Sequence, residues 1–266
     1  MKDTLNRSGL PLLADIPVWV HLLLVGAGIF AGFVNTVAGA GSALTLPALI
    51  ASGVDATVAN ASNRVAVVVQ TLSGAAAFHR RGVRPWRTCL PVVAPLALGG
   101  LGGAWMATQV SPGGLQVLFG LLFILLAAAL AFRPRWLTPP TYTASERRPP
   151  SRSLATQGAF FALGLYGGFV QAGVGIPLLL LLVQRLGLEV VAGNAAKTAL
   201  TLVFTAIALV VFQGSGQVDW LRGGEVACGS LVGSLIGVEA TLRVGVETIR
   251  KAVIFGLLLA AARMLW

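Results

Sequence analysis

The chain contains the same pattern of residues twice, once in each half. Four motifs of the first half return in the second half in the same order and at nearly constant separation: Gly32-Phe33-Val34-Asn35 as Gly168-Phe169-Val170-Gln171, Gly39-Ala40-Gly41 as Gly173-Val174-Gly175, Val58-Ala59-Asn60-Ala61 as Ala192-Gly193-Asn194-Ala195, and Gly82 with Trp86 as Gly216 with Trp220. Self-similarity of this kind predicts two copies of one structural unit. Any fold for this chain must therefore join two related halves.

The composition predicts that both copies lie in a lipid bilayer. The sequence is 56% hydrophobic and 11% charged, with a mean hydropathy of +0.84, which leaves too few charges to cover a soluble globule of 266 residues. Most of the excess positive charge sits in short segments between apolar stretches. That pattern is typical of membrane loops facing anionic lipid and does not indicate nucleic acid binding. A duplicated apolar unit, broken by Gly and Pro at matching places, is typical of a secondary transporter.

About five apolar segments per half predict an all-α polytopic membrane protein made of two inverted repeats, with one short broken helix in each. A helix that crosses a bilayer needs roughly 20 residues, so shorter segments must be broken or buried in protein. The predicted halves are residues 1–132 and 154–266, joined by a cytoplasmic linker at 133–153. The segments are Val18 to Ala38, Ala43 to Ala51, Thr57 to Phe78, Thr88 to Thr108 and Leu115 to Phe132, then Leu154 to Ala172, Ile176 to Gln184, Val191 to Phe212, Gly223 to Leu242 and Thr248 to Met264.

The positions of positive charge predict that the halves cross the membrane in opposite directions. Three basic segments are expected inside the cell: His79 to Arg87, Arg133 to Arg152 and Arg243 to Lys251. The segment Gly214 to Trp220 has no Lys or Arg and is expected outside, although its repeat partner is the basic loop at Arg80. In the competing arrangement the short segments are re-entrant and each half has four spans, which would place Arg243, Arg250 and Lys251 outside.

The short segments begin where we expect an anion to bind. Glycines at 39, 41, 173 and 175 allow the chain to unwind, and each short helix then restarts with amide groups that lack partners. Such amides and the positive end of the helix dipole attract anions. Ser42 and Thr45 add hydroxyls in the first copy only. Glycine in membrane helices also serves close packing, which is the competing interpretation.

Polar residues at the start of one long segment in each half are the second element of the predicted site. Asn60, Asn63 and Arg64 correspond by position to Asn194, Lys197 and Thr198. A cation buried in a bilayer is costly and usually lines a pathway or has a partner. The alternative is that Arg64 and Lys197 reach the interface near helix ends. The complete predicted binding set is Asn35, Gly39, Gly41, Ser42, Thr45, Asn60, Asn63, Arg64, Gln171, Gly173, Gly175, Asn194, Lys197 and Thr198.

The remaining polar residues indicate structural roles. Glu225 and Glu239 share one segment and are expected to pair with Arg222 and Arg243 rather than to carry protons. His79 is expected to be an interfacial residue. We find no paired carboxylates, nucleophile motif, zinc spacing or phosphate loop. The sequence therefore predicts no catalytic residue, no metal site and no cofactor.

Several motifs resemble those of the TauE/SafE family of sulfite and organosulfonate exporters. They are Gly-Phe-Val-Asn-Thr-Val-Ala-Gly-Ala-Gly-Ser at 32–42, Leu46-Pro47, Val58-Ala59-Asn60-Ala61-Ser62-Asn63-Arg64 and His79-Arg80-Arg81-Gly82. The resemblance returns more weakly in the second half, where Gln171 replaces Asn35 and the break is two residues shorter. The halves are therefore not expected to contribute equally.

The resemblance implies a multi-pass permease of the inner (plasma) membrane that exports small sulfur-containing anions by alternating access. Its expected partners are a small anionic substrate and membrane lipids, with no nucleic acid, and a homodimer is left open. Two alternatives remain at this point: a permease for another anion or carboxylate, and a membrane sensor or scaffold that binds an anion without moving it. A metal cation is disfavoured because Asp and Glu are scarce inside the segments.

Overall fold

The described part of the chain folds entirely into helices and connecting turns. The computed structural model describes residues 16–132 and 153–243, and no strand occurs in these two ranges. Nine helices form there: α1 (Val18–Ala38), α2 (Ser42–Ala51), α3 (Ala56–Arg80), α4 (Trp86–Thr108), α5 (Pro112–Phe132), α6 (Leu154–Phe169), α7 (Gly175–Leu186), α8 (Val190–Gly214) and α9 (Trp220–Arg243). The predicted all-α fold is confirmed. The predicted segment Thr248 to Met264 and nearly all of the linker lie outside the described residues.

The helix boundaries differ from the predicted ones by a few residues, for example at the end of α6. This helix ends at Phe169, whereas the apolar pattern predicted a segment continuing to Ala172. The chain unwinds because Gln171 adopts a positive φ of 69°, a left-handed conformation that ends an α-helix. At the start of α3, the Asp55 carboxylate accepts hydrogen bonds from the Thr57 and Val58 amides, both 2.9 Å. Burial raises the pKa of Asp55, but a hydrogen bond from the Thr57 hydroxyl, together with these two amide bonds, lowers it below its ordinary value.

Matching turns join α3 to α4 and α8 to α9. Gly82 and Gly216 each provide the left-handed residue, with φ of 83° and 70°. The indole N–H of the tryptophan that begins the next helix then donates back to the last turn of the previous one. Trp86 donates to His79 Nδ1 at 3.3 Å, and Trp220 donates to Gln213 Oε1 at 2.7 Å. The repeat seen in the sequence is therefore also a repeat of local structure.

The largest helix contacts join the two halves, because one helix of each half packs along a helix of the other half. α1 of the first half packs along α9 of the second, and α4 of the first half packs along α6 of the second. Glycines in these contacts face the backbone of the neighbouring helix: a Cβ atom on Gly229 or Gly233 would overlap the carbonyl of Val25 or Ile29. Because those contacts follow the same order along both helices, α1 and α9 run in the same direction. Gly99 and Gly103 meet α6 in the same way.

The central pair of helices, α3 and α8, runs in opposite directions. Arg64 near the start of α3 lies 5.3 Å from the ring centre of Phe212 near the end of α8. Farther along, Gly74 of α3 packs against Thr198 near the start of α8. These two helices are repeat partners, so this one pair of equivalent helices has opposite directions in the folded chain. How the halves cross a membrane, and which face is cytoplasmic, stay predictions.

Four of the described helices are long and apolar enough to span a membrane: α1, α4, α8 and α9. α3 has 25 residues, yet its buried face is polar near its start, where it carries Asn60, Ser62, Asn63 and Arg64. α2 and α7 have only 10 and 12 residues. Each of these short helices follows a break in the chain, as the glycine-rich segments predicted.

Candidate functional site

The breaks of the two halves touch at Gly39 and Gly175. Gly39 ends α1 with φ of 79°, and its carbonyl oxygen accepts a hydrogen bond from the Gly175 amide at 3.2 Å. A Cβ atom on either glycine would collide with the backbone of the other. Only glycine allows this approach. The amide of Gly175 is thus already used, as is that of Ile176, which donates to the Gly173 carbonyl. The expectation that both helix starts leave free amides is wrong for α7, and at the start of α2 the amides of Gly41, Ala43 and Leu44 also have acceptors.

Lys197 holds the end of α1 from the opposite half. Its ammonium group donates to the carbonyl oxygens of Asn35 and Thr36, at 3.1 and 3.0 Å, and to the side-chain oxygen of Asn194 at 2.8 Å. Only 2% of Lys197 is exposed. A cation is favourable there because the carbonyls at the end of a helix carry partial negative charge. The alternative that Lys197 reaches the membrane interface is therefore wrong.

Arg64 does the same for the end of α6. Its guanidinium donates to the carbonyls of Gly167 at 2.6 Å and Gly168 at 2.8 Å, and also to the side-chain oxygen of Gln171. Asn60 donates to the Phe169 carbonyl at 2.9 Å. Arg64 is fully buried, so it too is not an interfacial anchor. Each half therefore caps a helix end of the other half with a cation, and the first half adds an asparagine, Asn60.

Gln171 keeps its left-handed backbone conformation because both polar atoms of its side chain form hydrogen bonds. Its amide oxygen accepts from Arg64, and its amide nitrogen donates to the Thr205 hydroxyl of α8 at 3.0 Å. A residue other than glycine in this conformation is uncommon and is held by its surroundings. Gln171 thus links Arg64 to α8.

A small polar cavity lies between the two breaks. It has room for about one water molecule, which makes it smaller than a polyatomic anion. Its lining consists of Asn35, Thr36, Gln70, Thr71, Gln171, Val174, Gly175, Lys197, Thr198 and Thr201. Lys197 is the one charged residue in this lining, and no carboxylate contributes to it. The wall is therefore polar and carries one positive charge, and the hydroxyls of Thr36, Thr71 and Thr198 in it donate to main-chain carbonyls of their own helices.

The structure brings only part of the predicted binding set to this cavity. Asn35, Gln171, Gly175, Lys197 and Thr198 line it. The other predicted residues lie outside its lining: Gly39, Gly41, Ser42, Thr45, Asn60, Asn63, Arg64, Gly173 and Asn194. Most of them support the breaks instead.

The supporting residues have identifiable contacts. Gly41 packs against the Ala31 carbonyl of α1, and Gly173 faces the side chain of Leu126. Thr45 donates to the side-chain oxygen of Asn63 at 2.6 Å, which ties α2 to α3. The Asn63 amide nitrogen is buried and has no hydrogen-bond partner in the described part of the chain.

Sequence reasoning missed five lining residues: Thr36, Gln70, Thr71, Val174 and Thr201. Most of them continue the polar faces that it had identified. Gln70 and Thr71 lie about two turns beyond Asn63 and Arg64 on α3, and Thr201 lies about one turn beyond Lys197 on α8. Helical spacing of polar residues through an apolar segment could therefore have found these three.

The described residues offer no grouping of three His, Cys, Asp or Glu side chains that could hold a metal ion. The cavity combines a buried ammonium group, side-chain amides and hydroxyls, which is the chemistry of anion binding. A multi-pass helical protein with broken helices facing a polar cavity belongs to the general class of membrane transporters.

The comparisons with known proteins identify the family. The sequence profile described as "Sulfite exporter TauE/SafE" matches residues 24–264, and the chain belongs to this family. It is 23% identical over 254 residues to a "Probable membrane transporter protein" of Haemophilus influenzae, covering 95% of this chain and 97% of the relative. It is 28% identical over 248 residues to the "Probable membrane transporter protein ORF9" of Sinorhizobium sp, covering 92% of this chain and 93% of the relative.

A third relative gives the same result. The "Probable membrane transporter protein YfcA" of Escherichia coli K12 is 25% identical over 259 residues, covering 96% of this chain and 91% of the relative. No solved structure matches the chain. The protein is thus a multi-pass membrane transporter of the TauE/SafE family, and membership of this family implies transport rather than enzymatic catalysis.

Proposed function

We propose that the protein is a secondary transporter that exports sulfite or organosulfonates across the plasma membrane by alternating access. The observation that carries this proposal is Lys197, a buried cation in the wall of a cavity without carboxylates. An ammonium group donates charge-assisted hydrogen bonds to oxyanions. Side-chain amides and hydroxyls of Gln70, Thr71 and Thr198 lie in the same wall and supply further polar groups.

Binding of the anion would compete with the contact between Lys197 and the end of α1. All three donors of the ammonium group have acceptors in the described conformation, two of them main-chain carbonyls of Asn35 and Thr36. An anion in the cavity would replace one or both carbonyls as the partner of Lys197. Loss of that contact would release the end of α1 from α8, which joins substrate binding to a movement between the halves.

The cavity must widen before it accepts such an anion. The described conformation has room for about one water molecule. It therefore corresponds to a closed state, in which the contact between Gly39 and Gly175 holds the breaks together. The opposite directions of α3 and α8 support an inverted arrangement of the halves, in which rocking of one half against the other opens the cavity to either face.

Transport by reconstituted protein tests this proposal. Purified protein is reconstituted into liposomes that contain unlabelled anion. Entry of labelled sulfite, methanesulfonate, acetate and phosphate into these liposomes is measured in parallel. We expect exchange of sulfite or methanesulfonate and much slower exchange of the other two anions. Preference for acetate would support the carboxylate alternative. Binding that saturates without accumulation inside the liposomes would support a sensor or scaffold and contradict the proposal.

A further inference from the structure

One partly buried pair of ionisable side chains lies away from the cavity. His21 Nδ1 of α1 lies 2.6 Å from Glu225 Oε1 of α9, with 28% of the histidine and 15% of the glutamate side chain exposed. The second carboxylate oxygen, Glu225 Oε2, is buried and has no hydrogen-bond partner in the described part of the chain. The expected pairing of Glu225 with Arg222 is wrong, because Arg222 pairs with Asp219 at 2.6 Å. His21 is the partner instead.

No other described ion pair involves His21 or Glu225. The helices that pack against α1 and α9, and the residues at their ends, carry other described titratable groups. These are Asp55, Arg64, His79, Arg80 and Arg81 with α3, Arg185 of α7, Glu189 and Lys197 with α8, and Asp219, Arg222, Cys228, Glu239 and Arg243 with α9. Glu239 contacts Arg81 and Arg243 at the far end of α9. Arg64 and Lys197 hold main-chain carbonyls, as described above. The His21–Glu225 pair is therefore a separate titratable unit.

The pair can exchange one proton without losing its contact. A contact of 2.6 Å places one hydrogen between Nδ1 and the carboxylate, and in the Nδ1–H tautomer the ring donates it to the ionised glutamate. In that tautomer the other ring nitrogen, Nε2, carries a lone pair that can accept a second proton. Uptake forms one N–H bond and changes the net charge of the pair from negative to zero. Because a net charge is costly within a membrane, this change affects how readily the segment moves.

α1 connects this pair to the anion cavity. His21 lies near the start of α1, whereas Asn35, Thr36 and Gly39 lie at its end, where Lys197 holds them. The distance along the helix from His21 to Asn35 is about 20 Å. We propose that His21 and Glu225 form a proton-binding site that couples proton movement to the movement of the anion. The inference rests on the proposed function, since it assigns the ion that drives the same transporter.

Separating exchange from gradient-driven accumulation tests this inference. Full-length protein is reconstituted with methanesulfonate, which stays fully ionised near neutral pH and carries no proton itself. Exchange of labelled for unlabelled methanesulfonate at equal pH needs no net proton movement. Accumulation of methanesulfonate against its own gradient, driven by a one-unit pH difference, requires coupling of anion to proton movement. At one proton per anion, the ratio of inside to outside methanesulfonate reaches up to about tenfold. A pH-sensitive dye trapped in the liposomes reports the accompanying proton flux.

We expect His21→Gln and Glu225→Gln to keep exchange within about twofold of wild type and to lose both accumulation and proton flux. Glu239→Gln is the matched control, because it removes the other carboxylate of α9 and leaves the pair intact; it keeps both activities. Accumulation retained by His21→Gln and Glu225→Gln would overturn the coupling role. Wild-type protein that exchanges methanesulfonate at equal pH but shows no proton flux in the gradient-driven assay would overturn it as well, while leaving the proposed transport standing. Absence of wild-type exchange would instead overturn the proposed transport of sulfonates, and the coupling with it.

Discussion

The amide of Gly175 donates a hydrogen bond to the carbonyl of Gly39, so the two halves of the protein meet through main-chain atoms at their own broken helices. No side chain separates the two glycines. Lys197 and Arg64 then hold the helix ends that lead into these breaks, each from the opposite half. The candidate anion cavity is therefore a joint product of both repeats, and neither half can form it alone.

Replacing Gly175 with Ala tests whether this approach of the breaks is required. The added methyl group would collide with the Gly39 backbone, which has little freedom to move. We expect transport to fall at least tenfold, because the collision separates the two breaks. Gly158→Ala on α6 is the control, since nothing lies within 4 Å of a Cβ atom at that position. Equal transport rates in the two variants would show that the contact at Gly175 is dispensable.

Changes at Arg64 are expected to affect stability more than anion affinity. Arg64→Met leaves the carbonyls of Gly167 and Gly168 without a donor in a buried site, which costs about 3 kcal/mol or more. Arg64→Lys keeps the charge but loses the planar fork, so we expect an intermediate effect. The midpoint of thermal unfolding in detergent measures both variants. A midpoint for Arg64→Met equal to that of wild type would contradict the capping role of Arg64.

The inverted arrangement of the halves predicts different accessibility at two equivalent turns. Single cysteines at Arg84 and Gly216 are introduced after Cys89 and Cys228 have been replaced. In intact cells, an impermeant thiol reagent is expected to label the cysteine at 216 and to leave the one at 84 unlabelled, since the basic turn is expected inside. Permeabilised cells provide the control, in which both sites react. Labelling of both sites in intact cells would exclude the inverted topology.

The repeated motifs were enough to predict most of the fold. Apolar length, glycine breaks and turn glycines predicted the helices α1 to α9 to within a few residues at most ends, because these features act locally. The packing of α1 on α9 and of α6 on α4, each with the other half, could not be predicted in the same way. Gly99 and Gly103 meet α6 and Gly233 meets α1, but a glycine in the sequence does not specify its partner helix. The partner depends on tertiary packing of surfaces far apart in sequence.

The candidate site was only partly predictable for a related reason. Lys197 and Arg64 were recognised as unusual cations, yet the sequence could not show that main-chain carbonyls of the other half are their partners, since every residue has a carbonyl. The glycine breaks were expected to present free amides, but the Gly39 carbonyl occupies the amide of Gly175. The pairing of His21 with Glu225 was missed because the two residues are close only after α1 and α9 pack together.

Equilibrium binding of sulfite to Lys197→Met tests the central claim most directly, because binding requires the cavity to open but does not require a complete transport cycle. The methionine keeps much of the side-chain volume and removes the charge. Loss of one charge-assisted contact is expected to weaken affinity by about 10- to 100-fold. Arg185→Met is the matched control, since it removes a cation at the end of α7, outside the cavity lining, and is expected to bind sulfite as wild type does. Titration calorimetry on the purified protein gives both affinities. A Lys197→Met variant with wild-type affinity would contradict the assignment of this cavity as the anion site.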